Sequence, residues 1–165
     1  MKARTLMSRP AYTCRLGTTL DEASRSMAGT AYGALVVLDD ADRLAGIITD
    51  RDLAMAIGNA EGDPSQLLVA EAMTPNVRTC LPDDSLAVAL ERMAEEKVRR
   101  LPVVDAEGSI EGMLSIDDII LGGLGRRGIK RRVLVKALRS ICAAHNRMFE
   151  TEDVEVCAAA AGLDE

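Results

Sequence analysis

This sequence predicts an α/β (α+β) protein: two βαββα repeats packed as a pseudo-twofold pair, followed by a C-terminal amphipathic helix. Three observations lead there. The chain matches itself without a gap at an offset of 66 residues. Each copy alternates short extended apolar runs with amphipathic stretches of helical period. The charge balance changes abruptly after residue 122. The 165 residues suffice for one compact domain or two very small ones. With 48% hydrophobic and 28% charged residues, the chain has a globular balance and not a disordered one. Aromatic residues are only 2%, which excludes the base-stacking platforms of single-strand binders. The longest apolar run, Ala31 to Leu38, suits a buried strand and falls short of the roughly 18 residues of a membrane span.

The repeat holds one register throughout. Met7 falls on Met73, Thr13-Cys14 on Thr79-Cys80, Leu20 on Leu86 and Met27 on Met93. Further along, Leu35 meets Leu101, Val37 meets Val103, Asp39 meets Asp105, Gly46 meets Gly112 and Asp52 meets Asp118, with Thr49 opposite Ser115. Such agreement over so long a stretch marks a duplicated unit.

Each copy opens on an extended piece, Ala11 to Arg15 and Val77 to Leu81. An amphipathic helix follows, Thr19 to Ala28 and Ser85 to Glu96; in the second, Leu86, Ala89, Leu90 and Met93 share a stripe opposite Glu91, Arg92, Glu95 and Glu96. Two strands joined by an acidic turn come next: Ala34 to Leu38 with Leu44 to Ile48, and Leu101 to Val104 with Ile110 to Leu114. They lead into short helices beginning at Asp50 and Ile116, for which Thr49 and Ser115 are natural N-caps. The expected organisation is a first repeat over 5–58, a linker over 59–70, a second repeat over 71–122, a basic helix over 126–149 and a mobile acidic, alanine-rich tail over 150–165. One copy of about 55 residues buries too little surface to stand alone, so the two should pack sheet against sheet.

The four cysteines, Cys14, Cys80, Cys142 and Cys157, form no CxxC pair and the only histidine is His145. A zinc site and a Ser-His or Cys-His catalytic device are therefore not expected, and no enzymatic constellation is present. The first ten residues lack an apolar stretch of about seven residues or more, so no signal peptide is expected and a cytoplasmic location with reduced thiols is.

A hydroxyl followed three residues later by a carboxylate occurs at both strand-to-helix junctions, Thr49 with Asp52 and Ser115 with Asp118. The carboxylate can accept hydrogen bonds from both hydroxyls of a ribose, and an unpaired helix N-terminus suits a phosphate. The same residues are also what a plain helix cap needs.

The segments Gly46-Ile-Ile-Thr49-Asp50-Arg51-Asp52 and Gly112-Met-Leu-Ser115-Ile116-Asp117-Asp118 resemble the closing motif of cystathionine-β-synthase (CBS) domains. Ala34 to Asp39 and Arg100 to Asp105 are similar to that family's central strand, and Met73-Thr74-Pro75 resembles its opening segment, with Met7-Ser8-Arg9-Pro10 a looser version. The resemblance spans residues 5 to 122. It implies a paired, Bateman-type module that dimerises, binds AMP, ADP, ATP or another adenosyl ligand between its repeats without requiring a cofactor, and senses instead of catalysing. It also implies two clefts. One would hold ribose on Asp118 beside Ser115 and Asp117, phosphate on Arg99 and Arg100, and adenine against Ala11, Tyr12, Tyr32 and Gly33. Its mirror would use Thr49, Arg51 and Asp52 with Asn76, Val77 and Val98 as walls. The mirror departs from the pattern because Gly33 and Ala34 stand where the two arginines would be, and Asp117 puts a second acid near the first cleft's phosphate position.

From Ile119 to Phe149 there are eight of the 20 basic residues and none of the 26 acids, which leaves the remainder of the chain at −14. Ile129, Val133, Ala137, Leu138, Ile141, His145 and Met148 make a helical stripe. Docking of this basic helix on acidic surface of its own module or a dimer mate is the expectation; a nucleic-acid contact and an anionic membrane surface are the alternatives. Gly123 and Gly128 have the spacing of a phosphate loop, but Ile129 replaces the required lysine, so the segment reads as a hinge. Two functions follow: a ligand-sensing regulatory pair acting on a partner protein yet to be identified, or an interaction or nucleic-acid adaptor working through the basic helix with vestigial clefts.

Overall fold

The computed structural model describes residues 1–30, 32–60, 63–125 and 128–146. Arg126, Arg127, Arg147, Met148, Cys157, the 150–165 tail and the side chain of His145 lie outside what is described. The first repeat contains β1 (Thr13–Arg15), α1 (Leu20–Ala28), β2 (Ala34–Leu38), β3 (Leu44–Thr49) and α2 (Asp50–Gly58). After a 3-10 turn at Pro64–Gln66 come α3 (Val69–Ala72) and β4 (Thr74–Pro75). The second repeat adds α4 (Leu86–Glu96), β5 (Arg100–Val104), β6 (Ile110–Ser115) and α5 (Ile116–Gly122), and α6 (Arg131–Asn146) follows. The strands and helices of both copies fall where the register places them. The exception is the second opening piece, which shrinks to a single bridge at Cys80.

Local chemistry explains the helix starts. Thr19 and Glu22 cap each other reciprocally at α1, and the hydrogen bonds from Thr19 hold the Glu22 carboxyl below its usual range. Ser85 accepts from the Val88 N–H at α4, and Lys97 closes that helix in the left-handed conformation at φ 57°. The duplication reaches into backbone irregularities. Both hairpins carry a register shift at the equivalent place, Val37/Leu38 and Val103/Val104.

The repeats are exchanged at their openings. The first sheet runs β1-β2-β3-β4, so Thr74 and Pro75, from the start of the second repeat, close its edge against Ile47 and Gly46. Reciprocally, Ser8 of the first repeat bridges Met113 on β6. Gly46 and Gly112 make this possible. A Cβ at Gly46 would lie 2.5 Å from the Thr74 carbonyl oxygen, and one at Gly112 would lie 2.6 Å from that of Ser8. The exchange extends to the cores. Val69 and Met73 pack with Leu20, Met27, Leu35, Ile48 and Leu53, while Ala3 and Met7 pack with Leu86, Leu90, Met93, Leu101 and Ile119. Alternate residues of β2 face opposite ways, so Val36 and Leu38 meet Met113, Ala11, Ile47 and Ile110 in a third cluster between the sheets.

Helix α6 packs on α4 and joins the second repeat's core through Leu134, Ala137 and Ile141, with Ile129 beside them. Two expectations change here. The buried stripe uses Leu134, whereas Val133 is 39% exposed, because Ile129 precedes the helix and its phase does not carry into it. Charge is not what seats the helix either. No ion pair among the described residues involves α6; its side-chain tie to α4 is a hydrogen bond from Ser140 Oγ to the Ala94 carbonyl at 3.0 Å.

Candidate functional site: a cleft between the repeats

A cleft of about 590 Å³ opens where the end of β3 faces the segments before α4 and β5. From the first repeat it takes Ala34, Ile47, Thr49, Asp50, Arg51 and Asp52. From the second it takes the run Thr74 to Arg78, then Glu96, Val98, Arg99, Arg100 and Pro102. The mirror-cleft residues expected together, Thr49, Arg51, Asp52, Asn76, Val77 and Val98, are thus assembled in one place. Arg99 and Arg100, expected beside Asp118, also line this cleft. They enter β5 together with Pro102, which faces the first repeat.

The hydroxyl–carboxylate pair adopts a defined geometry. Asp52 Oδ2 accepts from Thr49 N–H and Thr49 Oγ, both at 2.8 Å, and Asp52 N–H donates back to Thr49 Oγ at 3.3 Å. The cap therefore uses one carboxylate oxygen and leaves Oδ1 uncommitted among the described residues. Ser115 and Asp118 repeat the arrangement, with Asp118 Oδ2 accepting at 2.8 Å and 2.6 Å and Asp118 N–H donating at 3.1 Å.

One expectation does not survive. The N-terminus of α2 was to offer unpaired N–H groups to a phosphate, but its first three are already bonded. Asp50 N–H donates to Gly33 O at 3.2 Å, Arg51 N–H to Asp50 Oδ1 at 2.8 Å and Asp52 N–H to Thr49 Oγ. Any anion in this cleft must meet side chains instead. Arg51, Arg78, Arg99 and Arg100 line it against Asp50, Asp52 and Glu96. Arg78 Nε donates to Glu96 at 2.8 Å, and Arg99 stands 3.7 Å from Asp117 on the far side. Ile47, Pro75, Val77, Val98 and Pro102 supply apolar wall, suited to a planar base.

On the second repeat, Ala11 packs near Met113 of β6, and Ser8 hydrogen-bonds with Met113 through both backbone groups. This brings the opening segment alongside the strand that ends at Ser115. Tyr12 and Tyr32 stack on each other with ring centroids 4.7 Å apart and planes tilted by 39°. Ile116 N–H donates to the Arg99 carbonyl at 2.8 Å, which ties α5 to the residue before β5. Arg78 was missed in the sequence. The signal was available, since Arg78 is the register partner of Tyr12, a residue already assigned to a wall. Among the described residues no group of three or more His, Cys, Asp or Glu could hold a metal, and no helix is long and apolar enough to cross a membrane.

The CBS domain family matches twice, over residues 3–59 and 69–123. The chain belongs to the CBS domain family. The "Uncharacterized 17.7 kDa protein in bps2 3′region" of Acidianus ambivalens is 33% identical over 108 residues, which are 66% of this chain and 64% of that protein. This chain thus spans less than two thirds of that relative's length. Among solved structures, the CBS domain pair of protein MJ0100 in complex with 5-methylthioadenosine and S-adenosyl-L-methionine superposes with a TM-score of 0.67 at 25% identity, covering 73% of this chain and 94% of that one. CBSX2 in complex with AMP gives 0.65 at 25% identity, covering 73% and 93%.

Proposed function

We propose that this CBS pair is a non-catalytic sensor that binds an adenosine-containing ligand in the cleft between its repeats and signals through a change in their arrangement. The observation that carries this reading is the cleft itself. It combines a carboxylate with one uncommitted oxygen at Asp52, an apolar wall from the opposite repeat and four arginines. Ribose would be held on Asp52 Oδ1, with the base against Val77 and Val98. The Asp118 junction has the same cap geometry and is the second binding position. There Ser115 and Asp117 stand beside the ribose, and Ala11, Tyr12, Tyr32 and Gly33 face the base. Coupling requires the ligand to favour one arrangement of the repeats or of a dimer over another. The fold similarity to pairs solved with AMP or with S-adenosyl-L-methionine supports the ligand class. A thermal-shift panel of AMP, ADP, ATP, S-adenosyl-L-methionine and NAD tests it. A concentration-dependent rise in melting temperature with at least one of them is expected, because a ligand that binds only the folded state stabilises it by mass action. No shift with any would remove the reading.

The sensor would work as a homodimer. A groove of about 520 Å³ between α1 and α2, lined by Met27, Ala28, Leu53, Ala54 and Ile57, is covered by no other element among the described residues, and Met55 on α2 is 55% exposed. A patch of this kind is a contact surface for a second copy. Light scattering at tens of micromolar should give twice the chain mass, and a monodisperse monomer would refute it. The adaptor reading retains one supporting observation: Arg131, Arg132, Lys136 and Arg139 all lie on the exposed side of α6. If that face binds nucleic acid, affinity for a generic duplex should fall with salt at a log–log slope of roughly −0.9 per phosphate contacted.

A further inference from the structure

We infer that the outer face of α6 is a docking surface for an acidic segment of this same chain, residues 150–155, laid back along the helix. Arg132, Lys136 and Arg139 fall at i, i+4 and i+7, so they form one row on the side of α6 opposite Leu134, Ala137 and Ile141. Arg131 flanks the row, Lys130 precedes it, and all five cations are exposed. Among the described residues none of the five makes an ion pair or a side-chain hydrogen bond. The helix cannot turn this row elsewhere. Leu134, Ala137 and Ile141 are buried in the core that holds α4, and Ser140 Oγ donates to the Ala94 carbonyl. The positive charge is therefore fixed in place, facing outward, with no described carboxylate to meet it.

The counter-charge follows directly in the sequence. Residues 119–149 carry no acid, whereas 150–155 hold Glu150, Glu152, Asp153 and Glu155 and no base. Only residues 147–149 separate Glu150 from Asn146, the last residue of α6. So short a tether keeps these acids near the row at a roughly millimolar effective concentration. The lengths agree as well: Arg132 to Arg139 spans about 10 Å of helix, and Glu150 to Glu155 reaches about 16 Å when extended. The helix dipole sets the direction, because acids are disfavoured beside the negative end at Asn146 and gain by running back towards Arg132. A polyanion from solution starts at a disadvantage, since the whole chain is at −6 and repels it at long range. The segment thus masks the row, and an external polyanion must displace it.

The test is zero-length carbodiimide crosslinking of the full chain, mixed in equal parts with an isotope-labelled copy and read by tandem mass spectrometry. At low salt Lys136 should join to an acid of 150–155 within one copy. Salt at roughly 1 M, where the screening length is about 3 Å, should remove most of that product. Arg132→Gln combined with Arg139→Gln should leave the melting temperature unchanged and lower the yield roughly threefold or more, although Lys136 and the tether remain. Arg139→Gln alone serves if the double variant does not fold. An undiminished yield would mean that tethering alone brings the groups together, and it overturns the docking. So does a Lys136 product formed only between labelled and unlabelled copies, or only with acids of residues 1–118. Absence of any Lys136 product at low salt overturns it too, and tight binding of a generic duplex would then assign the row to nucleic acid.

Discussion

The two repeats share a backbone plan and differ in what covers their helices and what lines their junctions. On the second repeat α6 lies against α4, and Ile141 is 1% exposed there. The equivalent surface of the first repeat is the open α1–α2 groove: Ser24, Ala28 and Leu53 there are the register partners of Leu90, Ala94 and Ile119. Among the described residues there is one such helix for two such seats. At the junctions the caps are the same to within a few tenths of an ångström, but the residue two places after the cap is Arg51 in one and Asp117 in the other. Duplication preserved what the fold needs and let the residues around the clefts diverge. A helix cap and a core stripe are constrained in both copies, whereas cleft and outer-face residues answer only to partners.

Breaking that comparison should cost most where α6 is seated. Ile141→Ala should destabilise the protein by about 2–5 kcal/mol, since it leaves a cavity in a fully packed site. Ile57→Ala, on the open groove, should cost about 0.5 kcal/mol or less in the monomer and weaken self-association instead. Chemical denaturation and light scattering of the two variants together check this, and equal losses of stability would mean that the groove is not open in solution.

The ribose assignments come next in size. Asp52→Ala should weaken adenosine-ligand binding by about 1.5–3 kcal/mol in calorimetry, and Asp118→Ala should do the same for any ligand held at the second junction. A double variant that binds as well as wild type would sink both assignments.

A smaller effect sharpens the structural half of the comparison. Thr49→Ala and Ser115→Ala each remove an N-cap, so each should cost about 1 kcal/mol of stability, and the two costs should be similar. Urea titration is sufficient; a large difference would show that one junction carries load beyond its cap.

The smallest expected effect concerns the paired cysteines. Cys14 and Cys80 occupy equivalent positions, and burial pushes both thiols up to about 11. At pH 8 both should resist alkylation while the exposed Cys142 reacts, which mass spectrometry after a short iodoacetamide pulse would show. Because these pKa values are raised in the folded state, their contribution to stability is present below pH 9.0 and is lost as pH rises towards about 11. Melting temperatures should fall across that window, and substituting both thiols by alanine should flatten the fall.

Much of this was legible in the residues. The gapless register gave the duplication, Thr49 and Ser115 marked the helix starts at Asp50 and Ile116, and the hydroxyl–carboxylate spacing located the two junctions. The cleft was less so. Thr49, Arg51 and Asp52 line one cleft with Asn76, Val77 and Val98, but Arg78 was overlooked, and Arg99 and Arg100, expected beside Asp118, flank that junction and line the Asp52 cleft as well. Sequence distance does not show that one strand entry serves two junctions; the start of β5 pairs with Ser115 and lines the Asp52 cleft at once.

What the sequence determined by itself is everything set by local periodicity and short-range hydrogen bonding: the elements, the caps, the turns and the fact of repetition. Only the tertiary structure decided the exchange of opening segments, which puts Met7 in the second core and Met73 in the first. It also decided that Leu134 and not Val133 faces α4, and that the N–H groups of α2 are spent within the fold. Each of these depends on which of two near-identical partners a segment meets. In a duplicated chain local patterns are the same for both choices, and only packing in three dimensions tells them apart.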